Sequence, residues 1–186
     1  MVEKLAPEVL IVATGAQPVQ PTIVGLDKAK VVTAHDVLAG KAQIQGKKVA
    51  VLGGWQTGCE TAEYLASKGY SVTIVARSSQ VQMAGDAIPG NRAALFGRLA
   101  LLKVEILAEH NVRYAQPNGL SLAGRDGKER FLEADTIVMA RGVVSNRSWA
   151  DGLEGKIAEV YYIGDCNQPA TIAEATYGGA VVGRRI

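Results

Sequence analysis

The sequence has few of the residues that would indicate a disulfide scaffold, a metal centre or a membrane protein. Its 186 residues include only two cysteines, Cys59 and Cys166, which form neither a C-x-x-C motif nor a zinc-ligand spacing. No apolar run approaches the roughly 20 residues of a membrane span. The charged segment Met1–Leu5 leads directly into a strand, so we expect no signal peptide. Two separate reduced thiols favour a cytoplasmic location.

Charge and composition exclude two further classes. The formal net charge is only +2, which is too small to argue for binding to nucleic acid or to an anionic surface. Hydrophobic residues make up 48% of the chain, which predicts a folded globular protein rather than disorder. The length allows a sizeable core in one or two domains.

The segment Lys47–Ala76 carries the main structural signal. Lys48–Leu52 is an apolar run suited to a strand buried on both faces. Cys59–Ser67 favours a helix that Lys68-Gly69 ends, and Ser71–Ala76 is a second strand. This order predicts a right-handed βαβ unit, and therefore an α/β fold with a Rossmann-like parallel sheet.

The turn between the first strand and the helix resembles a dinucleotide-binding fingerprint, G-x-G-x-x-G. Gly53 takes the first glycine position and Gly58 the third, with Gly54 beside them. Trp55 fills the second position, where an indole would obstruct the approach of a diphosphate. The turn therefore predicts the fold more firmly than it predicts the ligand.

The residues after the second strand bear on the choice of cofactor. An acidic residue at this strand end would bind the ribose 2′-hydroxyl of NAD, but the chain has Ala76 there, followed by Arg77 and Ser78. A guanidinium beside a hydroxyl suits a 2′-phosphate, which favours NADP over NAD. The alternative, a solvated loop arginine, stays open.

Two other regions complete the predicted architecture. Asn91–Leu102 has helical apolar spacing, and Thr33 with Asp36 resembles a capping box before a short helix. Hairpin turns separate three later strands, which predicts an antiparallel β-meander appended to the parallel sheet. The predicted strands outside the βαβ unit are Val9–Ala13, Val104–Leu107, Val112–Ala115, Leu120–Leu122, Glu129–Leu132, Thr136–Ala140 and Val160–Ile163.

The last strand leads into a second candidate binding segment. Gly164-Asp165 follows Val160–Ile163, and a helix begins near Ala170-Thr171. A carboxylate at a strand end can accept hydrogen bonds from ligand hydroxyls, and the following helix N-terminus would lie at the same crevice. A turn or cap role for Asp165 is the alternative.

Four segments together resemble the pyridine-nucleotide:flavin reductases that have two dinucleotide-binding domains. They most resemble the C-terminal part of the NADH:flavin oxidoreductases of the 2,4-dienoyl-CoA reductase, 2-enoate reductase and trimethylamine dehydrogenase family, across essentially the whole chain. The segments are VLIVATGAQP, VAVLGGWQTGCETAEYLASKGYSVTIV, LEADTIVMARG and VYYIGDCNQPATIAEATYGGAVVGRRI.

The resemblance implies an NAD(P)-binding domain inserted into an FAD domain. Residues 1–34 and 143–186 would be partial FAD-domain segments, and residues 35–142 the NAD(P)-binding domain. Thr14, Gly15, Gly164 and Asp165 would then belong to the FAD half. Gly53, Gly58, Glu60 and Gly142 would belong to the nicotinamide half, with Glu60 and Gly142 near the nicotinamide.

The chain also departs from the pattern that the resemblance implies. The family's FAD domain begins with its own βαβ unit, which is absent here, and two isolated cysteines cannot ligate a four-cysteine cluster. We therefore expect a domain fragment, inactive alone, whose FMN and iron–sulfur cluster belong to the missing part. Its partners would be the dinucleotide, the remainder of the parent flavoenzyme and, through an exposed sheet edge, a second copy in a homo-oligomer.

Two functions remain open. In the first, the chain passes hydride from NAD(P)H to FAD within a complete flavin-dependent oxidoreductase. In the second, it is a degenerate nucleotide-fold domain that binds no dinucleotide, or only an adenine nucleotide, and acts as a scaffold. No residue is typical of a general acid, base, nucleophile or metal ligand. Cys59 lies just inside a helix N-terminus, where we expect a stabilised thiolate, but it has no partner for dithiol chemistry.

Overall fold

The computed structural model describes residues 2–186, which divide into two compact units. The end unit combines the chain up to Val19 with Val143–Ile186, and the central unit is Gln20–Gly142. The central unit begins before the predicted domain boundary at residue 35 because the strand over Val31–Thr33 belongs to its sheet. Across the described residues, no helix has both the length and the apolar character required to cross a bilayer.

Short strands outnumber helices. The helices are α1 Val2–Leu5, α2 Ala34–Leu38, α3 Gln56–Ser67, α4 Pro89–Leu101 and α5 Ile172–Val182, with 3-10 turns at Leu26–Lys28, Asp151–Leu153 and Gly164–Cys166. The strands are β1 Val9–Val12, β2 Ala16–Pro18, β3 Val31–Thr33, β4 Lys48–Leu52, β5 Ser71–Val75, β6 Glu105–Leu107, β7 His110–Gln116, β8 Gly119–Gly124, β9 Glu129–Glu133, β10 Thr136–Met139, β11 Val143–Ser145 and β12 Glu159–Tyr162.

The central unit is built on a five-stranded parallel sheet in the order β3-β10-β4-β5-β6. Strand β4 lies in the middle, paired with β10 on one side and β5 on the other. This arrangement, with the meander described below, confirms the predicted fold class, and it places the glycine turn after β4 at the centre of the sheet's carboxyl edge. Such edges are where parallel α/β sheets bind ligands.

Alternate residues of β4 enter two different cores. Val49 and Val51 pack with α2, α3 and α4 on one face of the sheet. Ala50 and Leu52 pack on the other face with buried residues of the meander, including Leu120. Because both faces are covered, the strand needs a continuous apolar run, and this is why its sequence lacks the alternation of a half-exposed strand.

The meander is antiparallel, in the order β7-β8-β9, as the two hairpin turns predict. Its middle strand β8 carries Leu120 and Leu122, which are fully buried. The predicted cap of α2 is also confirmed, since the amide of Asp36 donates to Thr33 Oγ1 at 3.0 Å.

The end unit holds a two-stranded parallel sheet in which β1 pairs with β12. The first and last strands predicted from the sequence are therefore neighbours in the fold. The buried thiol of Cys166 donates to the carbonyl of Val12 at 2.9 Å and so ties the turn after β12 to β1. Helix α5 begins with a capping box between Thr171 and Glu174, close to the predicted start.

Two short strand pairings were not predicted from the sequence. Ala16–Pro18 forms β2 and pairs antiparallel with β11. Val31–Thr33 forms β3 at the edge of the parallel sheet. Each of these strands has three residues, too few to show a periodic pattern.

Candidate functional site

The glycine turn after β4 is held by close backbone contacts. Gly53 has φ +141°, and a Cβ added to it would lie 2.0 Å from the carbonyl oxygen of Ala140. A Cβ on Gly58 would lie 2.2 Å from the carbonyl oxygen of Gly53, and one on Gly54 would meet Ala76 Cβ at 2.7 Å. These positions require glycine because strand, turn and helix pack in direct contact, which is the role of the first and third glycines of the fingerprint.

A cavity of about 160 Å³ opens above this turn, where β4, β5 and β10 end. The structure thus brings together four predicted site residues: Gly53, Gly54, Arg77 and Ser78. The full lining of the cavity is Gly53, Gly54, Trp55, Val75, Arg77, Ser78, Ala140 and Arg141.

Trp55 is both the N-cap residue of α3 and part of the cavity wall. Its side chain forms no capping hydrogen bond, and the residue is 57% exposed. The ring lies beside Gly85, where an added Cβ would be 3.8 Å from Trp55 Cζ3. The indole therefore lies at the surface of the cavity rather than in the core, as its place in the second glycine position suggests.

Asp86 caps α3 from a distant loop, a contact that the sequence did not predict. Its Oδ1 accepts a hydrogen bond of 2.9 Å from the amide of Gln56, the first residue of the helix. Within the described chain, no acceptor contacts the amides of Thr57 and Gly58. A carboxylate is favourable at this positive helix end, but it occupies part of the region where a phosphate would bind.

The loop that carries Asp86 is fixed at two further points. The amide of Ala84 donates to the carbonyl of Gly54 at 2.7 Å. Arg92 donates from Nε to the carbonyl of Met83 at 2.8 Å, and its terminal nitrogen reaches the carbonyl of Val81 at 2.9 Å. These bonds hold the loop against the glycine turn and keep its carboxylate at the helix end.

Two guanidinium groups give the cavity its electrostatic character. Arg141 is half-buried, and burial followed by the like charge of Arg77 lowers the pKa of Arg141 from its ordinary value. Among the residues that the structure describes, neither arginine has a carboxylate within 4.0 Å. Unpaired positive charge in a cavity attracts anions. Sequence reasoning did not single out Arg141, because its position after β10 joins the site only through the sheet order.

Besides Gly58, which packs against Gly53, two residues predicted for the nicotinamide half lie outside this cavity lining. Glu60 is exposed on α3 and accepts a hydrogen bond of 2.7 Å from Nε2 of Gln56. Gly142, with φ +87°, follows Arg141 at the end of the central unit. Their roles near a nicotinamide stay predictions.

The expectation for Cys59 is wrong. The residue is fully buried, and its Sγ lies 3.6 Å from the carbonyl oxygen of Gly54. Burial, followed by the charge of Asp86, raises the pKa of the thiol to about 11. Loss of hydration thus outweighs the helix N-terminus, and the group is a neutral core thiol.

The end unit has its own cavity of about 340 Å³ at the ends of β1 and β12. Gly15, Gly164 and Asp165 line it, together with the first residues of α5. Asp165 Oδ1 accepts from the amide of Ala170 at 3.2 Å, so this carboxylate also shapes the turn before the helix. Thr14 does not line this cavity in the part of the chain that the structure describes, and its hydroxyl donates to the carbonyl of Asn146 at 2.5 Å.

Comparisons with known proteins assign the chain to a family. Residues 2–179 match the family model described as pyridine nucleotide-disulphide oxidoreductase. The chain is 36% identical over 187 residues to NADH oxidase of Thermoanaerobacter brockii, covering 98% of this chain and 28% of that protein. It is 32% identical over 182 residues to cinnamate reductase of Clostridium sporogenes, covering 97% of this chain and 27% of that protein.

A solved structure extends the similarity to three dimensions. A complex of 2-naphthoyl-CoA reductase with 2-naphthoyl-CoA superposes with a TM-score of 0.91 at 30% identity, covering 100% of this chain and 28% of that one. The chain thus spans less than a third of the length of each of these proteins. The resemblance inferred from the four sequence segments is confirmed, and the chain belongs to the pyridine nucleotide-disulphide oxidoreductase family.

Proposed function

We propose that the chain is the nicotinamide-dinucleotide module of a flavin-dependent oxidoreductase. It binds NAD(P)H at the central-unit cavity, while the end unit contributes to an FAD site. When bound, the dinucleotide supplies a hydride and the flavin accepts it. The observation that carries this proposal is the cavity at the carboxyl ends of β4, β5 and β10, where a glycine turn, a helix N-terminus and two arginines meet.

The residues present fit the adenosine-diphosphate part of a dinucleotide. The amides of Thr57 and Gly58 lie in the first turn of α3, where the helix dipole favours an anion. Arg77 and Ser78 follow β5, where the adenosine ribose is bound in folds of this kind. A guanidinium and a hydroxyl suit a 2′-phosphate, so the proposal favours NADPH over NADH.

The end unit supports the flavin part of the proposal. Gly15, Gly164 and Asp165 share one cavity, with the N-terminus of α5 beside it. Within the described residues, β1 and β12 pair only with each other. We infer that the remainder of the parent flavoenzyme, or a second copy of the chain, pairs with a free strand edge. FMN and an iron–sulfur cluster belong, in this proposal, to that remainder, and the two free cysteines favour a cytoplasmic setting.

Calorimetric titration of the 186-residue chain with NADH, NADPH and ADP tests the nucleotide site. We expect the wild type to bind NADPH most tightly, and we expect Arg77→Ala to lose the preference for NADPH over NADH. Trp55→Gly should strengthen binding of all three ligands, because it restores the open second position of the fingerprint. Trp149→Gly is a matched control, since Trp149 is 49% exposed and lies in the end unit.

Two outcomes would favour the scaffold function instead. Binding only after Trp55→Gly would mean that the indole has closed the site in the natural chain. Absence of binding by both the wild type and this variant, with folding confirmed by circular dichroism, would refute the nucleotide module.

A further inference from the structure

We propose that Arg141 is a second phosphate-binding residue of the central-unit cavity and that it binds the diphosphate of the dinucleotide. This inference rests on the proposed function and deepens it. It assigns different phosphates to the two arginines: the 2′-phosphate to Arg77 and the diphosphate to Arg141.

The register of the sheet places both arginines at equivalent positions around the glycine turn. Leu52 of β4 pairs with Val75 on one side and with Met139 on the other. Arg77 and Arg141 each follow their paired residue by two positions, as Gly54 follows Leu52. Neighbouring strands lie about 4.8 Å apart, so the two backbones are roughly 10 Å apart with the turn between them. An arginine on each side can reach an anion above the turn.

The strand order distinguishes the two arginines. In a parallel nucleotide fold the diphosphate crosses the turn after the first strand, and the adenosine ribose lies at the end of the second. In this chain those strands are β4 and β5. Arg77 therefore stands on the ribose side, whereas Arg141, after β10, stands on the side toward which the diphosphate continues.

The backbone offers a diphosphate fewer contacts than a regular fingerprint does. Asp86 already accepts from the amide of Gln56, and Trp55 takes the place of the second glycine. A side-chain cation at the same turn replaces that lost attraction. Arginine is suited to this task because its planar guanidinium can donate two parallel hydrogen bonds to phosphate oxygens.

The surroundings of Arg141 also fit a ligand-binding role. The residue is half-buried and lines the cavity, and it has no carboxylate within 4.0 Å among the described residues. Partial burial of a cation without a partner costs hydration energy, and the attraction of an anion in the cavity would offset this loss.

Two small ligands separate the roles of the arginines in the 186-residue chain. ADP has a diphosphate but no 2′-phosphate, whereas adenosine 2′-phosphate has a 2′-phosphate but no diphosphate. We expect Arg141→Ala to weaken ADP binding about 10- to 100-fold, the value of a charge-assisted hydrogen bond, and to leave adenosine 2′-phosphate binding within about twofold. Arg77→Ala should give the opposite pattern. Arg141→Lys should recover only part of the ADP affinity because it keeps the charge without the planar fork.

Arg113→Ala is the matched control, because it removes the same charge from an exposed position on β7. If Arg141→Ala does not fold, Arg141→Gln keeps a long polar side chain and removes the charge. We expect the same loss of ADP affinity for it. Unchanged ADP affinity in a folded Arg141 variant overturns the inference while the proposed function stands. Selective loss of adenosine 2′-phosphate binding overturns it too. Absence of NADPH and ADP binding by the wild type overturns the proposed function and the inference together.

Discussion

The carboxylate of Asp86 should have opposite effects on the stability of the fold and on the binding of a nucleotide. Its hydrogen bond to the amide of Gln56 caps α3, which stabilises the folded chain. Its negative charge lies at the same helix end that a diphosphate would approach. Asp86→Ala should therefore destabilise the protein and strengthen ADP binding, whereas Asp86→Asn should affect mainly binding, since an amide oxygen can still accept from Gln56.

The contacts set the expected magnitudes. Loss of a capping side chain costs about 1 kcal/mol, with a range of about 0.5–2 kcal/mol. For a chain of this size, a loss of about 1 kcal/mol lowers the melting temperature by about 2–4 °C. Two unit charges about 4 Å apart repel by about 1 kcal/mol in bulk water and about 4 kcal/mol near a protein surface. Removing the charge should thus raise ADP affinity at least about fivefold.

Thermal denaturation and calorimetric titration with ADP, on the wild type and both variants, measure the two effects separately. Asp126→Asn is the control, because Asp126 is an exposed residue of the β8–β9 hairpin. An Asp86→Asn variant that is folded but binds ADP no more tightly than the wild type would show that the carboxylate does not compete with the phosphates. Weaker binding would show that Asp86 itself supports the nucleotide.

Two further predictions concern the turn and the buried thiol. Gly53→Ala should cost about 2–5 kcal/mol, because the new Cβ would meet the carbonyl oxygen of Ala140 at a positive φ; chemical denaturation measures this cost. Gly97→Ala on α4 is its control, because nothing lies within 4 Å of the added Cβ. We expect this variant to gain about 0.5–1 kcal/mol of stability. An equal loss of stability in both variants would contradict the steric explanation. For Cys59, folding raises the pKa from 9.0 to about 11, so the unfolded chain loses its proton first as pH rises. The free energy of unfolding should therefore fall between about pH 9 and 11 by up to about 1.4 kcal/mol per pH unit. Cys59→Ala should lack this contribution to the pH dependence. Identical pH dependence in the two proteins would exclude a contribution from the thiol.

Strong local signals allowed the core of the fold to be predicted from the sequence. The β4–α3–β5 unit combines a doubly buried apolar strand, a glycine turn and a regular helix, so each element supports the next. The meander was also predictable because two hairpin turns separate its strands. The three-residue strands were not, because their pairing is set by tertiary contacts rather than by their own sequence.

The candidate site, like the fold, was only partly predictable from the sequence. Gly53, Gly54, Arg77 and Ser78 follow their strands directly, so their positions in the chain already place them at one sheet edge. Asp86 and Arg141 were missed. The carboxylate reaches Gln56 across 30 residues of sequence, and Arg141 joins the site only because β10 inserts between β3 and β4. Neither contact leaves a local pattern.

The pairing of β2 with β11 has a consequence for how this architecture can change. Pro18 stands opposite Val143, so the two places where the chain passes into and out of Gln20–Gly142 are neighbours. A segment whose two ends meet in this way can be removed, replaced or rejoined through a short linker. The ribbon of β2 and β11 is thus the point at which the unit Gln20–Gly142 could be exchanged for another domain whose two ends lie equally close together.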